Sequence, residues 1–178
     1  GQMTALLGRQ IGAFKTSQIA NLKTGQIAAL STEQLMSLTT EHASSLTTDQ
    51  VAGMKTAQLA ALTVSQFSAL KTEAMQGLNI QQIAALRNDQ LAALSTDQIV
   101  ALKTNQIMAL GTAQISGLTT RQIVAIETGD LQVMKITKIA ALTDAQVSAV
   151  NTSQIAAMTS SQISALTPDQ ILDLRTDQ

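Results

Sequence analysis

The sequence predicts an all-α fold: a tightly wound α-solenoid of short helices, each of one to two turns, with one helix in every eight-residue repeat. Three observations predict it. The chain has an unbroken eight-residue period, a helix-capping side chain recurs once in each period, and the apolar positions are spaced so that neither a long helix nor a strand could gather them on one face.

The period is regular from end to end. With Leu6 as position one, residues 1–178 can be written as octads without insertion or deletion. Positions one and six are apolar apart from small Ala43, and position eight is Ala, Ser or Gly except at Asn21, Val133 and Asp173. Position five is Gln in 19 of 23 copies, and the others are His42, Ala74, Asp130 and Lys138. The consensus L-x-T-x-Q-I-x-A predicts a single continuous solenoid over 1–178, a segment of a longer array.

The spacing of the apolar residues argues for short helices. A continuous α-helix turns about 100° per residue, so successive octads would drift by about 80° and no apolar stripe would persist. A β-solenoid is the alternative, but positions one, six and eight do not share one parity, and Ala and Gln are poor strand formers. We therefore expect a helix from position four to the next position one, broken and redirected once in each octad.

The capping residues set the expected phase of these helices. Position three is Thr in 14 of 22 octads, which predicts that it is the N-cap. Where position three cannot cap, at Val64, Ile80 and Pro168, position two supplies Thr63, Asn79 and Thr167. Residues 167–170, Thr-Pro-Asp-Gln, predict a full capping box with Pro at the first helical position. Ile136, preceded by Lys135, is the one position where neither residue can cap.

Charged residues follow the same phase. Eight of 12 acids occupy position four, just inside the expected helix start, and eight of 11 bases occupy position two, just past the expected end of the preceding helix. Both placements would complement the helix dipoles.

Two aliphatic rows predict the core, because positions six and one lie three residues apart on one helix face. The apolar content is almost wholly aliphatic, with Phe14 and Phe67 the two aromatic residues. Small residues at position eight would let neighbouring backbones approach closely. The sequence leaves open whether two or four octads form one coil. Three octads are disfavoured, because helix axes need about 8 to 10 Å between them.

Composition excludes several classes of function. The net charge of -1 gives no electrostatic case for binding nucleic acid or an anionic membrane. No apolar run approaches the roughly 18 residues of a membrane-spanning helix, so we expect no membrane insertion. There is no cysteine, which excludes disulfides and thiolate metal sites.

No catalytic, cofactor-binding or metal-binding residue is predicted, and the chain is not expected to be an enzyme. His42 is the single histidine and has no second imidazole or thiolate to share a metal. The Gln row could form a hydrogen-bonded ladder or line a groove, but satisfying backbone groups at the turn is the favoured interpretation. Asp130 and Lys138 could pair if the coils place them close, although sequence drift explains them more simply.

The runs at 94–110 (LSTDQIVALKTNQIMAL) and 118–126 (LTTRQIVAI) carry a family resemblance. They resemble the octapeptide arrays of large bacterial secreted and surface proteins labelled heme utilization or adhesion proteins. That resemblance implies an extracellular or cell-surface spacer, stalk or display scaffold. The alternatives are a binding module for protein, glycan or heme, and a designed repeat scaffold, against which the eroded octads at 38–45 and 126–141 argue. Uncapped solenoid ends would favour self-association.

Overall fold

The computed structural model describes residues 5–174, which contain 21 helices of four to six residues and no strand. The chain divides into two compact units, Gly1–Leu94 and Ser95–Gln178. The first unit holds α1 Gly8–Gly12, α2 Thr16–Ala20, α3 Thr24–Ala28, α4 Thr32–Met36, α5 Thr40–Ser44, α6 Thr48–Ala52, α7 Thr56–Ala61, α8 Val64–Ser68, α9 Thr72–Gln76, α10 Ile80–Ala84 and α11 Asn88–Ala92. The second holds α12 Thr96–Val100, α13 Thr104–Ala109, α14 Thr112–Ser116, α15 Thr120–Ala125, α16 Thr128–Val133, α17 Ile136–Ile139, α18 Asp144–Ala149, α19 Thr152–Ala157, α20 Ser160–Ile163 and α21 Pro168–Leu172.

The predicted all-α fold with one short helix per octad is confirmed. The octad register crosses the boundary between the two units without a break. That the array forms one continuous solenoid stays a prediction from this register.

Each helix begins at position three, so the N-cap is position two, and the predicted cap at position three is wrong. Position two has the extended backbone that an N-cap needs, as at Thr47 with φ -83° and ψ 163°. The residue at position three is already helical, so its hydroxyl lies one residue too far along. Position two caps through its side chain in eleven helices: Ser31, Thr39, Thr47, Thr63, Asn79, Ser95, Thr119, Thr143, Asn151, Thr159 and Thr167.

The caps predicted at position two by exception are therefore the rule. Thr63, Asn79 and Thr167 each accept a hydrogen bond from the backbone amide three residues on, as predicted. Pro168 occupies the start of α21 beside the capping box, also as predicted. Lys135 gives no side-chain cap to α17, which is one of the two shortest helices.

The corners between helices are made of extended residues rather than left-handed ones. Helices end between positions six and eight instead of at the predicted next position one. Leu62 and Thr63, at positions one and two, have φ/ψ of -58°/136° and -61°/158°. Residues 5–174 include no residue with positive φ, so no corner depends on a glycine.

The charge pattern is half as predicted. Acids at position four lie in the first helical turn, where the dipole favours them, as at Glu33 and Asp49. Bases at position two lie at the N-cap of their own helix, where the dipole does not favour a cation, as at Lys55 and Arg87. Lys55 and Arg87 also lie three residues past the end of the preceding helix, as predicted, so each base is favoured by the dipole of the preceding helix and opposed by that of its own.

Within each unit three octads form one coil, because each helix packs against the third helix along the chain. In the first unit the stacked pairs are α1·α4, α2·α5, α3·α6, α4·α7, α5·α8, α6·α9, α7·α10 and α8·α11. In the second unit they are α12·α15, α13·α16, α14·α17, α15·α18, α16·α19, α17·α20 and α18·α21. Three octads were expected to be too few, and this expectation is wrong, because the spacing of about 8 to 10 Å between helix axes applies to helices stacked in consecutive coils. Within a coil, consecutive helices meet end to end at a corner, so that spacing does not apply.

The core consists of the two predicted rows. Position six is fully buried at Ile19 and Phe67, and position one at Leu62. Close stacking depends on position eight, as expected. A methyl group added at Gly77 would approach the carbonyl oxygen of Thr48 in the previous coil to 2.7 Å. Single-turn helices are unstable alone, so this packing between coils is what holds them.

Candidate functional site

The Gln at position five makes a local contact in every octad where its bonds are described. In the first coil, Gln10, Gln18 and Gln26 each accept a hydrogen bond through Oε1 from the backbone N–H of position two, at 2.7 Å. Where position two is Ser, Thr or Asn, its side chain also accepts from the Gln backbone amide, which completes the capping box. The Gln therefore fixes the start of its own helix.

The other end of the same amide joins consecutive coils. Gln82 Nε2 donates to the backbone oxygens of Met54 at 2.7 Å, Val51 at 3.1 Å and Ala52 at 3.2 Å. Gln146 in the second unit repeats the pattern on Leu118, Ile115 and Ser116. The carbonyl at position one has no partner in its own helix, so this donor satisfies it. We call the two-ended amide contact the Gln clasp.

The Gln clasp confirms the interpretation that position five satisfies backbone groups at the turn. It also goes beyond that interpretation, because the sequence did not indicate that the satisfied carbonyls belong to the previous coil. Gln82 is 1% exposed and Gln90 is fully buried, whereas Gln10 and Gln18, in the first coil, are exposed. Buried amides of this kind face the backbone of the coil before and line no open groove.

His42 replaces the clasp with an imidazole. It is 4% exposed, its Nδ1 accepts from Thr39 N–H at 3.2 Å, and its Nε2 lies 2.7 Å from the backbone oxygen of Phe14. A carbonyl oxygen only accepts, so Nε2 carries the proton and the ring acts as the Gln amide does. Both ring nitrogens are engaged in holding the fold.

Asp130 and Lys138 lie in successive octads, so they belong to different sides of the coil. Each is 7% exposed, and neither forms an ion pair with the other in the described part of the chain. Lys138 Nζ donates to the backbone oxygen of Met108 in the previous coil, which replaces the donating half of the clasp. Burial lowers the pKa of the Lys138 ammonium, and the neighbouring cation Lys135 lowers it further.

The surface charges are sparse and local. Between residues 5 and 174 the one ion pair is Arg87–Asp89, with Arg87 Nε 2.9 Å from Asp89 Oδ1 on an exposed face. The Arg87 guanidinium holds the pKa of Asp89 below its usual range. Backbone hydrogen bonding at the helix start, helped by the Thr39 hydroxyl, lowers the pKa of Glu41. A single exposed pair contributes little to stability.

Neither a metal cluster nor a membrane-spanning helix is found among the described residues. No group of three or more His, Asp and Glu side chains lies close enough to hold a metal ion. No described helix has the length and hydropathy to cross a bilayer. The second unit has a shallow apolar cleft of about 330 Å³ lined by Thr96, Thr120, Arg121, Val124 and Ala149.

Comparison with known families decides which repeat this is. The ALTTAQ repeat model matches residues 3–40, 67–104, 96–125, 123–160 and 147–176, well over half of the chain. The chain belongs to the ALTTAQ repeat family. A comparison with curated proteins finds no match. Read in one-letter code, ALTTAQ corresponds to position eight of one octad followed by positions one to five of the next. Residues Ala141–Gln146 match it except at Asp144. The first Thr of this motif is thus the N-cap at position two, and its Gln is the residue that forms the Gln clasp.

Proposed function

We propose that this ALTTAQ repeat array is a non-enzymatic structural segment, a rigid spacer or display scaffold in a secreted or surface bacterial protein. The observation that carries the proposal is the use of its buried polar groups. Within residues 5–174 every buried side-chain nitrogen and oxygen has a hydrogen-bond partner. Gln, His42 and Lys138 all direct their donors at the backbone of the previous coil, which leaves them unavailable for chemistry on a substrate.

Stiffness is the property that such an arrangement would supply. Within each unit the successive coils contact one another, so stability in a solenoid is a sum of coil and interface terms. The Gln clasp adds directional hydrogen bonds to each interface, and these resist sliding of one coil over another better than aliphatic contacts alone. The secreted or surface location rests on the resemblance to large bacterial repeat proteins.

A binding module remains the second candidate, and the apolar cleft of the second unit favours it. Val124 in that cleft is 40% exposed and Val100 on the same stack of helices is 48% exposed. A protein or glycan could use such a surface. Heme is the weaker ligand here, because both ring nitrogens of His42 are occupied by backbone groups.

Distance measurements between spin labels would test the spacer. The chain has no cysteine, so Ser17→Cys with Ser65→Cys, and Ser17→Cys with Asp89→Cys, give clean labelling pairs on one stack of helices, two and three coils apart. A rigid stack predicts narrow distributions separated by one coil, about 8 to 10 Å. Broad distributions, or equal mean distances for the two pairs, would overturn the proposal.

Binding assays on the same protein separate the second candidate from the first. A spacer is expected to show no Soret shift on heme titration and no signal above background on a glycan array. Saturable binding abolished by Val124→Asp, with an unchanged circular dichroism spectrum, would instead favour a binding module that uses the apolar cleft.

A further inference from the structure

The clasp is missing at one octad of the first unit. Ala74 occupies position five of α9 and is 1% exposed, so it sits where a Gln amide lies in the stacked helix before it. In that helix, α6, Gln50 Oε1 accepts from Thr47 N–H at 2.9 Å and Gln50 Nε2 donates to the Leu22 oxygen at 2.7 Å. A methyl group can do neither.

Two backbone groups lose their partners as a result. The N–H of Lys71, the N-cap residue of α9, corresponds to the N–H of Thr47, and α9 has no capping box. The carbonyl oxygen of Leu46 corresponds to that of Leu22. Among the described residues neither group has a hydrogen bond to the protein. One donor and one acceptor therefore point into the volume that a carboxamide fills in the neighbouring octads.

A cavity occupies this place. Its volume is about 330 Å³, and it is lined by Ser45, Leu46, Thr47, Thr48, Lys71, Glu73 and Ala74. Thr47, Lys71 and Glu73 are exposed, so the cavity opens to the surface. Thr48 Oγ1 donates to the Glu73 backbone oxygen at 3.1 Å across its rim, which ties the two coils together without a clasp.

The other position-five substitutions keep a polar side chain in this place. At Asp130 and Lys138 the two corresponding backbone groups also lack a hydrogen bond to any described part of the protein, but the buried polar side chain fills the volume that is open at Ala74. His42 supplies both an acceptor and a donor, and Lys138 Nζ donates to the backbone oxygen of Met108. Asp130 fills its place with a buried carboxyl group. Ala74 alone among them has no side-chain atom that can form a hydrogen bond.

We propose that the cavity at Ala74 binds a primary carboxamide, which takes the place of the Gln amide that this octad lacks. The ligand oxygen accepts from Lys71 N–H and its NH₂ donates to the Leu46 oxygen. A carboxylate has no proton to donate to that carbonyl, and an ammonium has no lone pair for Lys71 N–H. The side chains of Lys71 and Glu73 at the mouth have opposite charges, so neither sign of ligand is favoured.

The carboxamide could come from a free small amide or from a Gln or Asn side chain on another peptide. Both present the same planar donor and acceptor, so the chemistry alone does not separate them. Propionamide and Nα-acetylglutamine N-methylamide are the two probes. If propionamide binds more tightly, the site suits a free amide; if the glutamine derivative binds more tightly, it suits a side chain.

The test is a titration of the ¹⁵N-labelled full chain followed by amide chemical shifts. A small amide is expected to saturate with a Kd of about 1 to 100 mM and to move the Lys71 amide resonance most. Sodium propionate and N,N-dimethylpropionamide should bind at least about tenfold more weakly, because each lacks the NH₂ donor. Nα-acetylglutamate N-methylamide is the matched control for the peptide probe.

The variant Ala74→Gln supplies the amide from the chain itself. It should fold, since it restores the consensus, and should abolish the Lys71 shift for both probes while raising the urea midpoint. Gln76→Ala, an exposed change on the same helix, should leave the titration unchanged. Shifts that do not saturate, equal binding of propionate, or binding retained in Ala74→Gln would each overturn the proposal.

Discussion

Removing one Gln clasp should weaken the interface between two coils by more than any surface change does. In Gln82→Met the side chain keeps about the same volume but loses both hydrogen bonds, so the Asn79 N–H and the Met54 oxygen are left unpaired. An unsatisfied buried group costs about 1 to 3 kcal/mol. Asn79 is exposed and water can reach its N–H, whereas Met54 is 4% exposed. We expect a total loss of about 2 to 4 kcal/mol.

Amide hydrogen exchange is the suitable assay, because a repeat array in two units need not unfold in one step. The loss corresponds to a fall in protection of roughly 30- to 900-fold for amides in α7 and α10. Gln81→Met, an exposed change one residue away, is the control and should alter stability by less than about 0.5 kcal/mol. If the two variants lose protection equally, the clasp does not stabilise the stack.

The variant Gln82→Glu separates the two ends of the clasp. Its ionised carboxylate can accept from Asn79 N–H but places a negative charge against the carbonyl oxygens of Val51 and Met54. The pKa of this Glu should rise above the usual value of about 4.3, because its protonated form can donate as Gln does. The folded state then binds more protons than the unfolded state, so Gln82→Glu should regain stability as pH falls towards that pKa. A deficit that is the same at every pH would contradict this assignment of donor and acceptor.

Three further changes test the cap, the packing and a buried charge. Thr119→Ala removes an observed N-cap and should lower the free energy of unfolding in urea by about 1 kcal/mol. Thr120→Ala on the same helix should lower it by less than about 0.5 kcal/mol. The reverse order would indicate that position three is the N-cap. Gly77→Ala should destabilise the first unit by about 1 to 3 kcal/mol, because the added methyl group would contact backbone atoms of the previous coil. Gly25→Ala should stabilise the unit by about 0.5 to 1 kcal/mol, because the added methyl group would have no atom within 4 Å. Thermal melts that rank the two variants in the opposite order would show that the coils can shift apart. Lys138→Gln should stabilise the second unit by about 0.5 to 2 kcal/mol at neutral pH. Because the pKa of Lys138 is lowered in the folded state, the unfolded chain binds more protons and the stability of the natural sequence should rise at alkaline pH. The substitution should abolish that rise, and a pH profile that it leaves unchanged would refute the assignment.

Much of the fold could be predicted because its information is local. The eight-residue period excludes a straight helix by rotation alone, and the apolar rows at positions one and six then identify the core. Thr167 with Pro168 and Gln170 was enough to place a capping box correctly. The same segment indicated the correct N-cap position for every octad, because Thr167 is at position two. The prediction placed the cap at position three instead, because Thr is most frequent there.

The candidate site was less predictable, because its partners are distant in sequence. Gln82 lies 28 residues from Met54, and nothing in the sequence of either octad indicates that the two are in contact. The distance is set by the number of octads in a coil, which the period does not contain. Ala74 could be noticed as an exception, but the loss of partners at Lys71 and Leu46 is visible only once the coils are stacked.

The sequence by itself determined that each octad is a short capped helix with an aliphatic face, because capping, propensity and apolar spacing act over fewer than eight residues. Only the tertiary structure decided that three such helices close a coil and that the position-five amide reaches back to the coil before. Closure depends on the angle at each corner, which the extended residues at positions one and two set together with packing against neighbouring coils. A single octad cannot specify that angle, since an isolated helix of four to six residues is not stable enough to hold it.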